Sequence, residues 1–267
     1  PRPVVYASVY VGRSWIARQR GDYALANDYL SQALTTAEAE GLTALRVHSL
    51  IALAAVAREQ GDTERAHRYL QDGLQMSAEL RDESLRAKVL SNLGILEANR
   101  EEYDTARHLI QEAHDIYAKK KDLAGQSVTI GNLGALALLS GELDEAESHL
   151  LRSVEIGEQL GWRSSVAYDL SNLGGLARER QDLASADAYL LQAENIAKEI
   201  GLAELLPVII SNRGEVAFES GDTETACRLW SEAALALARM GSAHAESVNQ
   251  LANDAACHLI VGDQTEP

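Results

Sequence analysis

The sequence predicts an all-α solenoid of about six helix-turn-helix units with a C-terminal capping helix. Three observations carry that prediction. Gly21, Gly61, Gly141 and Gly221 recur on a forty-residue period, each followed by an acid (Asp22, Asp62, Glu142, Asp222). The two remaining beats are held by Glu101-Glu102 and Gln181-Asp182, and an alanine recurs in every unit: Ala26, Ala66, Ala106, Ala146, Ala186, Ala226. Only four prolines occur in 267 residues, and Pro1, Pro3 and Pro267 lie at the ends, so helix interiors are spared. Self-similarity at this period marks stacked supersecondary units that bury their core between neighbours. Length then adds units rather than domains, and residues 1–267 are expected to form one domain.

The units are expected at about 4–40, 41–80, 81–121, 122–160, 161–200 and 201–240, with the capping helix at 243–261. The stretch from 83 to 121 is the clearest. Ala87, Leu90, Leu93 and Gly94 follow largely helical spacing, Arg100-Glu101-Glu102 break it, and Ala106, Leu109, Ile110, Ala113, Ile116 and Tyr117 resume it. Each unit therefore holds two helices, A and B. The Gly-Asp pair explains the turn between them. Glycine can take the left-handed conformation that ends a helix, and aspartate caps the next one by accepting from its exposed N–H groups. Gly41, Gly161, Gly201 and Gly241 end the B helices, and Arg81 and Lys121 hold that place in the other two units. Pro207 falls near the start of its helix, where proline is tolerated.

Gly94, Gly134, Gly174 and Gly214 recur inside the A helices, at a cost of about 1 kcal/mol each against alanine. Their repetition predicts close helix–helix approach, with the recurrent alanines as counterparts. Gly131-x-x-Gly134 and Gly174-Gly175 lack the strand and the Gly-Lys-Ser/Thr of a phosphate loop, so packing accounts for them.

Composition excludes several functions. A net charge of −16, with Lys119-Lys120-Lys121 the single basic run, argues against nucleic acid and anionic membrane and favours a basic or neutral partner. No apolar run of spanning length is present. Cys227 and Cys257 sit among apolar residues and read as small unpaired hydrophobes on helices, which implies a reducing, cytoplasmic setting. The chain starts at Pro1 without methionine and is expected to be a fragment of a larger protein. Seven scattered histidines show no helical zinc spacing, no nucleophile–base pair stands out, and no metal, cofactor or catalytic residue is expected. Trp15, Trp162 and Trp230 read as packing or edge residues.

The repeat resembles the tetratricopeptide repeat: a Leu-Gly pair in helix A, a turn glycine, then Ala, a large apolar residue and Ala in helix B. The third unit has Leu93-Gly94, Glu101, Ala106, Ile110 and Ala113; the fourth, Leu133-Gly134, Gly141, Ala146, Leu150 and Ser153; the fifth, Leu173-Gly174, Gln181, Ala186, Leu190 and Ala193. The sixth departs at Arg213 and keeps Gly214, Gly221, Ala226 and Ala233, while the first, with Arg13-Ser14, is the weakest. The forty-residue unit is similar to the long-repeat branch seen in kinesin light chains, spindle-orientation adaptors, bacterial peptide-pheromone receptors and maltose-type activators. That resemblance implies a right-handed superhelix with the A helices lining the concave face.

Asn92, Asn132, Asn172 and Asn212 occupy one register position in four successive units, each preceded by a small residue: Ser91, Gly131, Ser171, Ser211. The long-repeat relatives use such asparagines to grip the backbone of an extended peptide. A carboxamide both donates and accepts, so it can pair with a peptide N–H and C=O together. Stacked helices lie about 8–10 Å apart and an extended chain advances about 3.3 Å per residue, so successive asparagines would meet roughly every third ligand residue. Lys88, Tyr168, Gly175, Arg178, Glu179 and Glu215 are the flanking candidates for specificity, and Lys88, Arg178 and Glu179 also read as plain solvated charges. The asparagines have a structural reading as well, a bond to the adjacent unit, and the two roles are compatible.

The functional expectation is a non-enzymatic module holding an extended peptide or partner segment in its concave groove. The alternatives are a ligand-sensing segment of a multidomain bacterial signalling ATPase or transcriptional activator, with flanking effector domains, and a self-assembling scaffold.

Overall fold

A computed structural model describes residues 3–242, 244–255 and 257. Among them are thirteen helices: α1 (Pro3–Gln19), α2 (Tyr23–Ala39), α3 (Thr43–Glu59), α4 (Thr63–Leu80), α5 (Glu83–Ala98), α6 (Tyr103–Lys120), α7 (Leu123–Leu139), α8 (Leu143–Leu160), α9 (Arg163–Glu179), α10 (Leu183–Ile200), α11 (Leu206–Glu219), α12 (Thr223–Arg239) and α13 (His244–Asp254). Each odd-numbered helix through α11 packs on the even-numbered helix that follows it, and each pair packs on the next. The result is an all-α solenoid.

The turns obey a stricter rule than the glycines alone suggest. Every twentieth residue from 21 to 241 has positive φ, between 55° and 89°. Eight are glycine; Arg81, Glu101, Lys121 and Gln181 take the same left-handed conformation without it. Asp22, Asp62, Asp182 and Asp222 then cap the B helices by accepting from the N–H three residues on, at 3.0–3.1 Å. Asp82 and Asp122 cap α5 and α7 in the same way.

The A-helix glycines do mark close approach, but the recurrent alanines are not the main counterparts. A Cβ on Gly94, Gly134, Gly174 or Gly214 would fall within 3 Å of Ile110, Leu150, Leu190 or Trp230, the large B-helix residue of the same unit. The alanines contribute through backbone, with the carbonyl oxygens of Ala106 and Ala186 next in line. Arg213, which stands where the repeat would have leucine, is met by Asp187 at 3.0 Å and by buried Glu194 at 2.5 Å.

The solenoid comes back on itself. Residues 203–205 form a turn ahead of α11, whose first helical turn carries Pro207 with its preset φ. That turn presents Glu204 to the first unit. Arg18 of α1 lies 3.1 Å from Glu204, and Gln19 donates to it at 3.0 Å. Met240, just past α12, packs into the first-unit core with Ala17, Tyr23 and Leu30, and sits where a Cβ on Gly21 would be.

Two expectations about the C-terminus need correction. The capping helix is described as His244–Asp254 rather than 243–261, and residues 243, 256 and 258–261 lie outside the described residues. Cys257 is therefore not on a helix. It forms a disulfide with Cys227 of α12, with Cα atoms 5.4 Å apart. The two cysteines looked unrelated because α13 and its turn bring them together only in three dimensions. The pairing also removes the ground on which a reducing compartment was expected. None of the described helices is long and apolar enough to cross a membrane.

Candidate functional site

The inner faces of α1, α3, α5, α7 and α9, with the turn before α11, line an open cavity of about 960 Å³. The A helices supply this wall because their B partners pack on the outside. Its surface alternates apolar residues (Ile51, Ile95, Ala135, Leu139) with carboxamides: Asn92, Asn132 and Asn172 all line it. Trp15 and Trp162, read from sequence as packing or edge residues, line it too, 56% and 38% exposed. Trp230 is buried, its Nε1 donating to the Ser211 carbonyl oxygen at 3.2 Å.

The three asparagines are differently engaged. Asn92 Nδ2 donates to the Lys88 carbonyl oxygen of its own helix at 2.8 Å. Asn132 Nδ2 donates to Ser91 Oγ of the preceding unit at 2.9 Å. Asn172 has no such serine behind it, because Gly131 holds that place, and its carboxamide forms no hydrogen bond among the described residues. The remaining site candidates fall elsewhere. Asn212, Ser171, Ser211, Lys88 and Gly175 do not line the cavity. Arg178 is paired with Glu215 and with Glu219 across to α11, and reaches Glu179 at 3.6 Å.

At one end the wall is polar. Tyr168, 40% exposed as a whole residue, donates its hydroxyl to Glu204 Oε1 at 2.7 Å. Burial of that hydroxyl, reinforced by the Glu204 charge, pushes its pKa well above the usual value. Arg18 Nη1 lies 2.5 Å from Glu59 and 3.1 Å from Glu204. Burial works against its charge, but the two carboxylates outweigh it and hold the guanidinium above its ordinary pKa. Burial and the Glu204 charge raise Glu59, with Arg18 opposing. Arg18, Glu59 and Glu204 escaped sequence reasoning because they come from three distant segments and share no register.

At mid-wall sits Asp169 of α9, 4% exposed, with no hydrogen-bond partner for Oδ2. Burial pushes its carboxyl up to about 7. The neighbouring Ser153 hydroxyl opposes that rise, but its proton is directed to the Ser127 carbonyl oxygen at 3.0 Å. No cluster of three or more metal-ligating side chains occurs among the described residues.

Tetratricopeptide repeat models match residues 85–159, 127–199 and 46–81. The chain belongs to the tetratricopeptide repeat family. No curated protein matches it. Among solved structures, it is similar to BtubC (BKLC) from P. vanneervenii, with 23% identity over 82% of this chain and 90% of that one and a TM-score of 0.58. A signal transduction ATPase with numerous domains from Pyrococcus horikoshii, bearing a tetratricopeptide repeat sensor, shows 16% identity over 87% of this chain and a TM-score of 0.63; the chain spans 34% of that protein. A Rap protein complexed with competence and sporulation factor shows 12% identity, 96% and 75% coverage and a TM-score of 0.69. At these identities the likeness is one of tetratricopeptide repeat architecture.

Proposed function

We propose that this module is a non-catalytic receptor that holds an extended peptide segment in its inner cavity, gripped by the carboxamides of Asn92, Asn132 and Asn172. The single observation that carries this reading is that these three side chains, one per unit, face one cavity while keeping hydrogen-bonding capacity unspent. Asn172 is wholly unbonded among the described residues, and Asn92 and Asn132 each spend one N–H. The cavity volume of about 960 Å³ is at the upper end for a small-ligand site, enough for a short stretch of chain and not for a folded domain. The Rap protein complexed with competence and sporulation factor is a structural neighbour of the same architecture. Asn212 lies beyond the cavity lining, so the grip narrows from four units to three.

The test is panning of a random-peptide display library on the immobilised chain, followed by calorimetry of recovered peptides on Asn132→Ala and Asn172→Ala. Each lost carboxamide removes one or two hydrogen bonds of about 0.5–1.5 kcal/mol each, so affinity is expected to fall roughly 2- to 150-fold. Affinity unchanged in both variants, with helical content intact, would rule out the carboxamide grip.

A further inference from the structure

The repeat supplies its own control for Asp169. At the register of Asp169, three positions before the asparagine of its unit, the second, third, fourth and sixth units carry Ser49, Val89, Thr129 and Ile209. All four are neutral and fully buried. Asp169 alone puts a carboxyl there. The preceding unit carries a matching exception: the small residue before the asparagine is serine at 91, 171 and 211, but glycine at 131. The two exceptions meet. A Cβ on Gly131 would fall 2.6 Å from Asp169 Oδ1 and 3.0 Å from Ser153 Oγ, so any side chain at 131 would occupy the space the carboxyl now uses.

Together they leave two unspent groups side by side. Asp169 keeps an oxygen with no partner in a buried setting, and Asn172, one helical turn on, loses the serine that occupies Asn132 in the unit before. Burying a carboxyl without a partner is costly. Ser153 of α8 and Gly131 of α7 are the groups against it, and neither brings a positive charge. Asp169 nonetheless borders the cavity.

We infer that Asp169 and Asn172 form a seat for the ammonium group of a lysine side chain on the bound peptide. The inference rests on the peptide-receptor reading above and adds to it a residue preference. An ammonium is a compact cation with three donors, enough to meet the Asp169 carboxylate and Asn172 Oδ1 at once. Its four-carbon stem can reach a carboxyl recessed in the cavity wall, while the stem itself lies along apolar side chains. A guanidinium, broader and matched to two-pronged pairing, suits a recessed single carboxyl less well. The excess of acids over the whole chain, 40 against 24 basic residues, draws a cationic ligand in.

The experiment titrates the full chain with two blocked pentapeptides, acetyl-Ala-Ala-Lys-Ala-Ala-amide and its norleucine counterpart. Binding is followed by fluorescence of Trp15 and Trp162, which line the cavity. The native chain is expected to prefer the lysine peptide by at least tenfold. In Asp169→Asn, a neutral residue of the same shape, that preference should fall to near unity while norleucine-peptide binding is kept. Equal binding of the two peptides by the native chain, or a lysine preference that persists in the variant, would overturn the seat and leave the peptide receptor standing. Failure of both peptides to bind the native chain at millimolar concentration would overturn the seat and the receptor reading together.

Discussion

Gln19 and Glu204 are 185 positions apart in the chain and joined by a 3.0 Å hydrogen bond. With Arg18 between Glu59 and Glu204, this contact ties the first unit to the sixth across the solenoid. Arg18→Ala would leave two largely buried carboxylates facing each other with no cation between them. Breaking such a buried arrangement costs about 3–5 kcal/mol when one partner is removed. The first unit is expected to swing free, so small-angle scattering of Arg18→Ala and of Glu204→Ala should give a larger radius of gyration than the native chain. An unchanged radius in both would show that the Met240 contact holds the closure alone.

Asp169 makes stability depend on pH with a definite sign. Its carboxyl is raised from 3.8 to about 7 in the folded chain, so the folded state holds the proton more tightly than the unfolded one. Its contribution is fully present below about pH 4, fades between about pH 4 and pH 7, and is gone above. The rise corresponds to roughly 4 kcal/mol at most. Asp169→Asn should therefore match the native chain in urea unfolding at pH 4 and exceed it at pH 8 by about 2–4 kcal/mol. Equal stability at pH 8 would mean that the carboxyl is ionised and satisfied in solution.

Lys121 sits at φ 56° and ψ 32°, a conformation that costs a non-glycine residue about 1–2 kcal/mol. Lys121→Gly removes that cost and gives back part of it through the looser unfolded chain. A net gain of about 0.5–1 kcal/mol in unfolding free energy is expected, read as a higher urea midpoint. The same change at Glu101 or Gln181 should act alike and independently, because the turns are far apart.

The Cys227–Cys257 bond spans 30 positions and holds the segment after α13 against α12. Closing a loop of that length stabilises by about 3–4 kcal/mol in the chain-entropy view. Reductant, or Cys257→Ser, should lower the melting temperature of the C-terminal pair. Proteolysis is expected to cut first around α13 in the reduced chain; an identical digestion pattern with and without reductant would argue against the bond.

Fold was legible from sequence because turn chemistry and packing repeat with the same period. The glycines at 94, 134, 174 and 214 could be read as contact points before their partners were known. Three of the four asparagines share one cavity for the same reason: register position is a one-dimensional property. What escaped was everything set by closure. Nothing local in Arg18, Glu59 or Glu204 says that they meet. Asp169 was legible in principle, as the one charged residue in a column of Ser49, Val89, Thr129 and Ile209, but only when each register position is compared down the repeats.

An open array of repeats can gain or shed a copy by duplication, since each neighbour sees the same surface. Here Glu204 and Met240 reach residues at the other end of the array, so an extra helical pair inserted anywhere between would carry them out of range. The tally of repeats is thus a fitted dimension of this molecule, and deletion or duplication should be far less forgiving here than in an array with free ends.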